Sequence, residues 1–269
     1  MKFSKYHGLG NDFIITRYKE GVDFKELAIK LAAFHTGIGA DGFIVVKENP
    51  LEMVFYNQDG TEAPMCGNGI RAFAMYTFEN KLVNSHIFPV KTKAGTLEVV
   101  INNPSLDNFL VKINMGSPIF DNKMIKVNDN INSFGRNILV NDKEYSIYSF
   151  FMGTIHTVIL KDNLDDITLD EASKLCNYKL FEEKSNINFV AIKDRENIYV
   201  KTYERGVGFT YACGTGACAS YVALKKLGLV DDIIKVHLKF GYLTISMKDE
   251  NVYMEGPACH VFDTEIEVK

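Results

Sequence analysis

Apolar positions along this chain alternate between two periods, and the same succession of periods occurs twice. Phe24, Leu27, Ala28 and Leu31 fall at helical spacing behind Asp23 and Glu26, which read as a capping box. Phe43-Ile44-Val45-Val46 and Met53 to Tyr56 predict strands. A helix follows from about Gly69 to Phe78, then strands over His86–Lys91, Gly95–Ile101 and Phe109–Met115. In the second half, Phe189-Val190-Ala191 lies 146 residues after Phe43-Ile44-Val45, and Gly241 to Ile245 lies 146 after Gly95 to Val99. Tyr203 lies 147 after Tyr56, and a helix near Leu169, with Thr168 as N-cap, answers the helix near Phe24. The opening HGLGNDFII is similar to MGTIHTVIL at Met152.

An offset held across so many elements predicts a duplicated domain with strands predominating. The boundary is expected near Ser117-Pro118. Residues 1–118 form one domain, with a C-terminal strand over about 262–269 packing on it, and residues 119–261 form the other. The polar stretch Asp121 to Asn132 begins the second half. No low-complexity linker separates the halves, so close packing is expected.

Composition narrows the function without naming it. Hydrophobic residues make up 46% and charged residues 24% of 269 positions, with a net charge of −4, which is globular and carries no basic stripe for nucleic acid. No apolar run approaches the ~18 residues of a membrane span, and the start MKFSKYHGLGNDF has no signal-peptide core. Five cysteines without an export signal do not read as a disulfide framework, so a reducing cytoplasm is expected.

Two stretches carry the candidate chemistry. Met65-Cys66-Gly67-Asn68-Gly69 and Ala212-Cys213-Gly214-Thr215-Gly216 each place a cysteine before a Gly-x-Gly turn that opens an apolar, helix-forming run. Cys213 lies 147 residues after Cys66, within the same repeat. A cysteine at a helix N-terminus meets the positive end of the macrodipole, which favours its thiolate. The bare amides of the turn can hold a carboxylate. Buried packing is the common fate of cysteine, but flanking glycines open the backbone to a ligand. Cys176, Cys218 and Cys259 lack this setting and read as packing residues. Zinc is not expected, because no metal-ligand spacing is present. Gly37-x-Gly39-x-x-Gly42 matches a dinucleotide fingerprint in the wrong context: a helix leads in and a strand leads out, so it reads as a tight turn. His156 stands where the first half has Asn11; alone it reads as structural, and beside a thiol it would tune that thiol. Glu204-Arg205 aligns with Asn57-Gln58 and suggests a polar wall, Glu for an ammonium and Arg for a carboxylate.

At HGLGNDF, GIGADG, the N-x-DG-x-E turn before CGNG-x-R, and YERGVG-x-T-x-ACGTGACA, the chain resembles the diaminopimelate epimerase family. The resemblance spans nearly the whole chain. It implies an α+β fold of two pseudo-symmetric domains, each a β-barrel-like sheet wrapped around a helix, with the active site in the interdomain cleft. It implies an isomerase that needs no cofactor, acts on an amino acid as its small-molecule substrate, and forms a homodimer; composition adds that neither nucleic acid nor membrane is an expected partner. By the same resemblance Cys66 and Cys213 are the two acid–base residues. Gly67, Asn68, Gly214 and Thr215 cradle the reacting carboxylate. Asn11, Asn57, Thr154, His156, Asn186, Glu204 and Arg205 line the rest of the substrate site.

Two departures bear on the substrate. The family usually has MGNPH where this chain has Met152-Gly153-Thr154-Ile155-His156, and Glu where this chain has Phe209. Threonine is shorter than asparagine and has no amide donor. Phe209 and Tyr211 would suit an aromatic side chain if they faced the substrate. The leading expectation is therefore a two-cysteine racemase whose substrate is not diaminopimelate, with histidine the best guess. Diaminopimelate epimerase is the rival, because Asn57, Asn186, Glu204 and Arg205 remain. A non-catalytic amino-acid binder or thiol redox sensor is the remote alternative.

Overall fold

The two longest helices of the chain have no solvent face. Gly67 to Thr77 are buried without interruption, as are Gly216 to Leu224. A helix buried on all its faces has to be enclosed by sheet, with its few polar side chains bonded inside. Small residues let sheet pack close against these two: Gly69, Ala72 and Ala74 in the first, and Gly216, Ala217, Ala219 and Ala223 in the second.

The computed structural model describes residues 1–127 and 132–268. Part of the polar stretch Asp121 to Asn132, and Lys269 of the expected C-terminal strand, therefore lie outside the described residues. The chain divides into two units, Met1–Asn114 with Glu255–Lys269, and Met115–Met254. The divisions fall a few residues before the 118/119 and 261/262 boundaries read from the sequence.

The first unit contains β1 (Lys2–Gly8), β2 (Asn11–Arg17), α1 (Phe24–Ala32), β3 (Gly42–Glu48), β4 (Leu51–Asn57), β5 (Glu62–Ala63), α2 (Gly67–Glu79), β6 (Ile87–Thr92), β7 (Gly95–Asn103) and β8 (Phe109–Asn114). Asp23 caps α1 by accepting from the Glu26 amide at 3.1 Å. β1 pairs with β2, β2 runs parallel to β3, and antiparallel pairs continue through β4, with β6, β7 and β8 beyond. Buried Phe3, Ile14, Phe43 and Val45 pack against α1, while α2 packs on the other face of these strands. Each fully buried side chain of this size contributes about 1.5–3 kcal/mol.

The second unit contains β9 (Phe134–Val140), β10 (Lys143–Met152), β11 (Thr154–Leu160), α3 (Leu169–Cys176), β12 (Asn186–Ile192), β13 (Asn197–Glu204), β14 (Gly208–Thr210), α4 (Gly214–Lys226), β15 (Ile233–Leu238) and β16 (Gly241–Lys248). Thr168 caps α3 through the Glu171 amide at 3.1 Å. The plan repeats: β11 runs parallel to β12 as β2 does to β3, and β13 to β15 as β4 to β6. One register differs. Phe43 faces Tyr56, whereas Tyr203, the equivalent of Tyr56, faces Ile187 and not Phe189. The slip is two residues, an even number, so inward and outward faces are preserved.

The last strand, β17 (Asn251–Glu265), belongs to both units. It leaves β16 through Asp249 and Glu250, both at positive φ, which matches a two-residue hairpin turn. Val252 bonds to Met115 and Gly116 in the second unit. Cys259 to Glu265 pair with β1 in the first. With β8 also pairing to β17, eight strands close around α2: β1, β2, β3, β4, β6, β7, β8 and β17.

Candidate active site

Both motif cysteines are helix N-caps. Cys66 precedes α2 with extended backbone, and its Sγ accepts from the Gly69 amide at 3.4 Å. Cys213 precedes α4 in the same conformation, and its Sγ accepts from the Gly216 amide at 3.3 Å. Sulfur takes the place of the hydroxyl or carboxylate oxygen that usually satisfies an N-terminal helix amide. The second glycine of each motif has a steric reason. A Cβ on Gly69 would stand 3.3 Å from the Cβ of Cys66, and one on Gly216 only 2.4 Å from Asn188 Oδ1.

In the first unit Asn11 joins the cluster from β2. Its Oδ1 accepts from Asn68 Nδ2 at 3.0 Å and lies 3.9 Å from Cys66 Sγ, within reach of a thiol proton. Its Nδ2 donates to Asp41 at 2.7 Å. Asp41 comes from the Gly37–Gly42 turn, where Gly39 has φ of 76°. That turn leads from α1 to β3 and so holds a site residue; burial pushes the Asp41 carboxyl up from its ordinary range. Gly67 opens α2, and its carbonyl accepts from the fully buried Arg71 at 3.2 Å. Arg71 also donates to the Pro257 carbonyl at 3.1 Å, bracing the head of the helix against β17. Asn57 instead ties the β4–β5 turn, donating to Thr61 Oγ1 at 2.9 Å.

In the second unit the polar residues converge more fully. Glu204, at the end of β13, accepts from Thr210 Oγ1 at 2.6 Å. Arg205 donates to Thr154 Oγ1 at 3.1 Å and to the Glu183 carbonyl at 3.0 Å, and its amide donates to Asn186 Oδ1 at 2.9 Å. Thr215 Oγ1 lies 3.5 Å from Cys213 Sγ, one residue after Gly214 opens α4. His156 is fully buried on β11 and bonds to Asn188 at 3.0 Å. Burial and the Arg205 charge hold its imidazole down to about 3, so it is neutral.

Two expectations need correction. The helix end was expected to favour the thiolate at both cysteines. At Cys213 burial outweighs it: the side chain is nearly enclosed, the Glu204 charge repels a thiolate and its carboxylate accepts a hydrogen bond from the thiol, and the thiol is pushed well above its usual value despite Thr215 and the Gly216 amide. Helix-end stabilisation is small against the desolvation of a buried charge. Phe209 was expected to suit an aromatic substrate on the condition that it faced the site, and that condition is not met. It pairs across from Tyr203, with ring centroids 5.3 Å apart, and packs on the apolar cluster beneath α3. Strand alternation puts it on the face opposite Glu204 and Thr210. With Tyr211 it lines a surface recess of about 700 Å³. Tyr211 is half exposed and meets Phe240 edge-to-face.

Asp41, Asn188, Thr202 and Thr210 hold site residues and escaped the sequence reading. Asn188 had a signal: with Asn186 it is an alternating polar pair inside an apolar strand. Cys176 and Cys218 are buried packing residues, and Cys259 is half-buried.

Comparison with known proteins agrees with this geometry. The diaminopimelate epimerase family model matches residues 3–120 and 148–261. A diaminopimelate epimerase of Caldanaerobacter subterraneus subsp. tengcongensis is 41% identical over 276 residues, covering 100% of both chains. Among solved structures, a phenazine biosynthesis protein of Bacillus anthracis superposes with a TM-score of 0.73 at 16% identity, covering 100% of this chain and 99% of that one. A hydroxyproline epimerase of Agrobacterium vitis does so with a TM-score of 0.70 at 11% identity, covering 98% and 91%. Duplicated sheets around cysteine-capped helices, with relatives of this kind, define an isomerase of the racemase and epimerase class. The chain belongs to the diaminopimelate epimerase family.

Proposed function

We propose that the chain epimerises diaminopimelate, with Cys66 and Cys213 as the two acid–base groups. One sulfur takes the α-proton as thiolate, and the other, as thiol, returns a proton to the opposite face of the carbon. The amides at the heads of α2 and α4, from Gly67, Asn68, Gly214 and Thr215, suit the reacting carboxylate and the charge that spreads onto it. Burial and Glu204 keep Cys213 protonated, which suits it to serve as the acid when Cys66 takes the α-proton.

The observation that carries the substrate reading is the Arg205 group. The guanidinium is held at both ends by neutral oxygens, from Thr154 and the Glu183 carbonyl, with the Glu183 carboxylate no nearer than 4.0 Å. Its charge is therefore positioned without being tightly neutralised, as a distal carboxylate requires. Relatives named diaminopimelate epimerase, covering the whole chain, point the same way. Phe209, turned away, no longer supports an aromatic substrate.

Thr154 favours a second reading, histidine racemisation, because it lacks the amide donor that the family usually has there. The test is kcat/KM for LL-diaminopimelate and L-histidine, followed by loss of the α-hydrogen signal in deuterated water. Turnover of diaminopimelate alone is expected. Turnover of histidine alone would overturn the substrate assignment and leave the two-cysteine chemistry standing. Exchange that survives in both Cys66→Ala and Cys213→Ala would overturn the chemistry.

A further inference from the structure

His156 is fully buried, yet only one of its ring nitrogens has a partner. Nδ1 lies 3.0 Å from Asn188 Nδ2, and Nε2 has no hydrogen-bond partner among the described residues. An unsatisfied buried ring nitrogen calls for an explanation.

The surrounding bonds fix where the ring proton sits. The Asn188 amide atom that faces His156 is also 3.4 Å from the Thr157 carbonyl oxygen. Two carbonyl oxygens would repel there, so that atom is the NH₂. The other end of the amide, Oδ1, accepts from Thr202 Oγ1 at 3.0 Å. It also sits against Gly216, where a Cβ would come within 2.4 Å, so the helix head closes this side. An NH₂ directed at Nδ1 requires a lone pair on Nδ1. The proton of a neutral ring is then on Nε2, and an imidazolium, with a proton on each nitrogen, would set N–H against N–H.

We propose that Asn188 and Thr202 are positioning residues that lock His156 as a neutral imidazole protonated on Nε2. The ring is thereby a fixed hydrogen-bond donor and not a base. Its unused N–H is kept for an acceptor that arrives with the bound amino acid, a consequence that rests on the racemase and epimerase reading. The tautomer itself does not depend on that reading, because it is a property of the ligand-free protein.

The test is a two-bond ¹H–¹⁵N correlation spectrum of the full chain labelled in its six histidines, with His156→Gln identifying the His156 signals. The parent protein at neutral pH should show a pyrrole-type Nε2 and a pyridine-type Nδ1. A protonated Nδ1, or an imidazolium, overturns the proposal without any variant having to fold. Asn188→Asp replaces the donor by a carboxylate and should move the proton to Nδ1. Thr202→Val frees the amide to turn and should give a mixture of tautomers, while Thr202→Ser should keep the parent pattern. A parent-like spectrum in Thr202→Val removes Thr202 from the lock. In α-hydrogen exchange, Thr202→Val should lower kcat at least about tenfold, as loss of an orienting partner does elsewhere, with recovery in Thr202→Ser. An unchanged kcat overturns the functional consequence. If no amino acid is turned over by the parent protein, the functional reading fails while the spectrum still decides the tautomer.

Discussion

The two cysteine-capped helices share a backbone geometry and differ in what surrounds the sulfur. Beside Cys66 stand the amides of Asn11 and Asn68, with Asp41 behind Asn11. Around Cys213 they are a carboxylate and a hydroxyl, Glu204 and Thr215, with a buried neutral imidazole on the same unit. The backbone geometry is repeated at the two helix heads, and at Cys213 the surroundings of the sulfur, not the backbone, hold the thiol protonated.

The sharpest way to break the comparison is to remove each sulfur. Cys66→Ala and Cys213→Ala should each lower kcat/KM by about 10²–10⁴ or more, whereas Cys176→Ala, Cys218→Ala and Cys259→Ala should not. A large loss in only one of the first two would mean that the halves are not functional counterparts.

The glycines sharpen it next. Gly216→Ala forces a Cβ to 2.4 Å from Asn188 Oδ1, and Gly69→Ala only to 3.3 Å from its nearest neighbours. Alanine gains up to about 1 kcal/mol of helix propensity at either place, and overpacking costs about 1–3 kcal/mol. Gly216→Ala should therefore lower denaturant stability clearly, and Gly69→Ala should leave it within about 1 kcal/mol. Equal effects would mean that the two heads are packed alike.

A third difference appears in acid. The second unit buries His156 where the first has Asn11. Above pH ~6.5 the histidine is neutral folded and unfolded and has no effect on stability. As pH falls, the unfolded chain binds a proton that the folded protein refuses until about 3. The protein thus loses stability through this group as pH falls below the unfolded value, by roughly 2 kcal/mol at pH 5. Equilibrium unfolding at pH 5 and pH 7 should show less of this loss in His156→Asn.

The smallest expected effect is on the Cys213 thiol. Glu204→Gln removes the negative charge and should lower the thiol's titration midpoint, while Thr215→Val removes a stabilising contact and should raise it. Thiolate absorbance against pH reads both directions, and no shift in either variant would leave burial as the whole cause.

Much of this was legible in the sequence because period and punctuation agreed. Asp23 and Thr168 announced α1 and α3, and Gly69 fixed α2 to within two residues. The stretch Gly37-x-Gly39-x-x-Gly42 was readable as a turn from helix to strand, which it is, but its role in holding Asn11 depends on a parallel strand pair that spacing alone does not reveal. Phe209 shows the limit most clearly. Its departure from the family pattern was visible, but the face it occupies is set by its pairing with Tyr203. The charge state of Cys213 was equally hidden, since burial is a sum over residues far apart in the chain.

The fifteen-residue strand β17 ties the order of synthesis to the order of completion. One edge of β1 pairs with β2, and the partner of its other edge is the segment Cys259 to Glu265, far along the chain. During translation the first unit waits with that edge of β1 unpaired while the whole second unit is made. Contacts separated by some 260 residues are slow to form and leave strand edges exposed meanwhile. The half that emerges first from the ribosome is thus the half that finishes last. A C-terminal truncation of a dozen residues would injure the N-terminal barrel before the unit it directly follows.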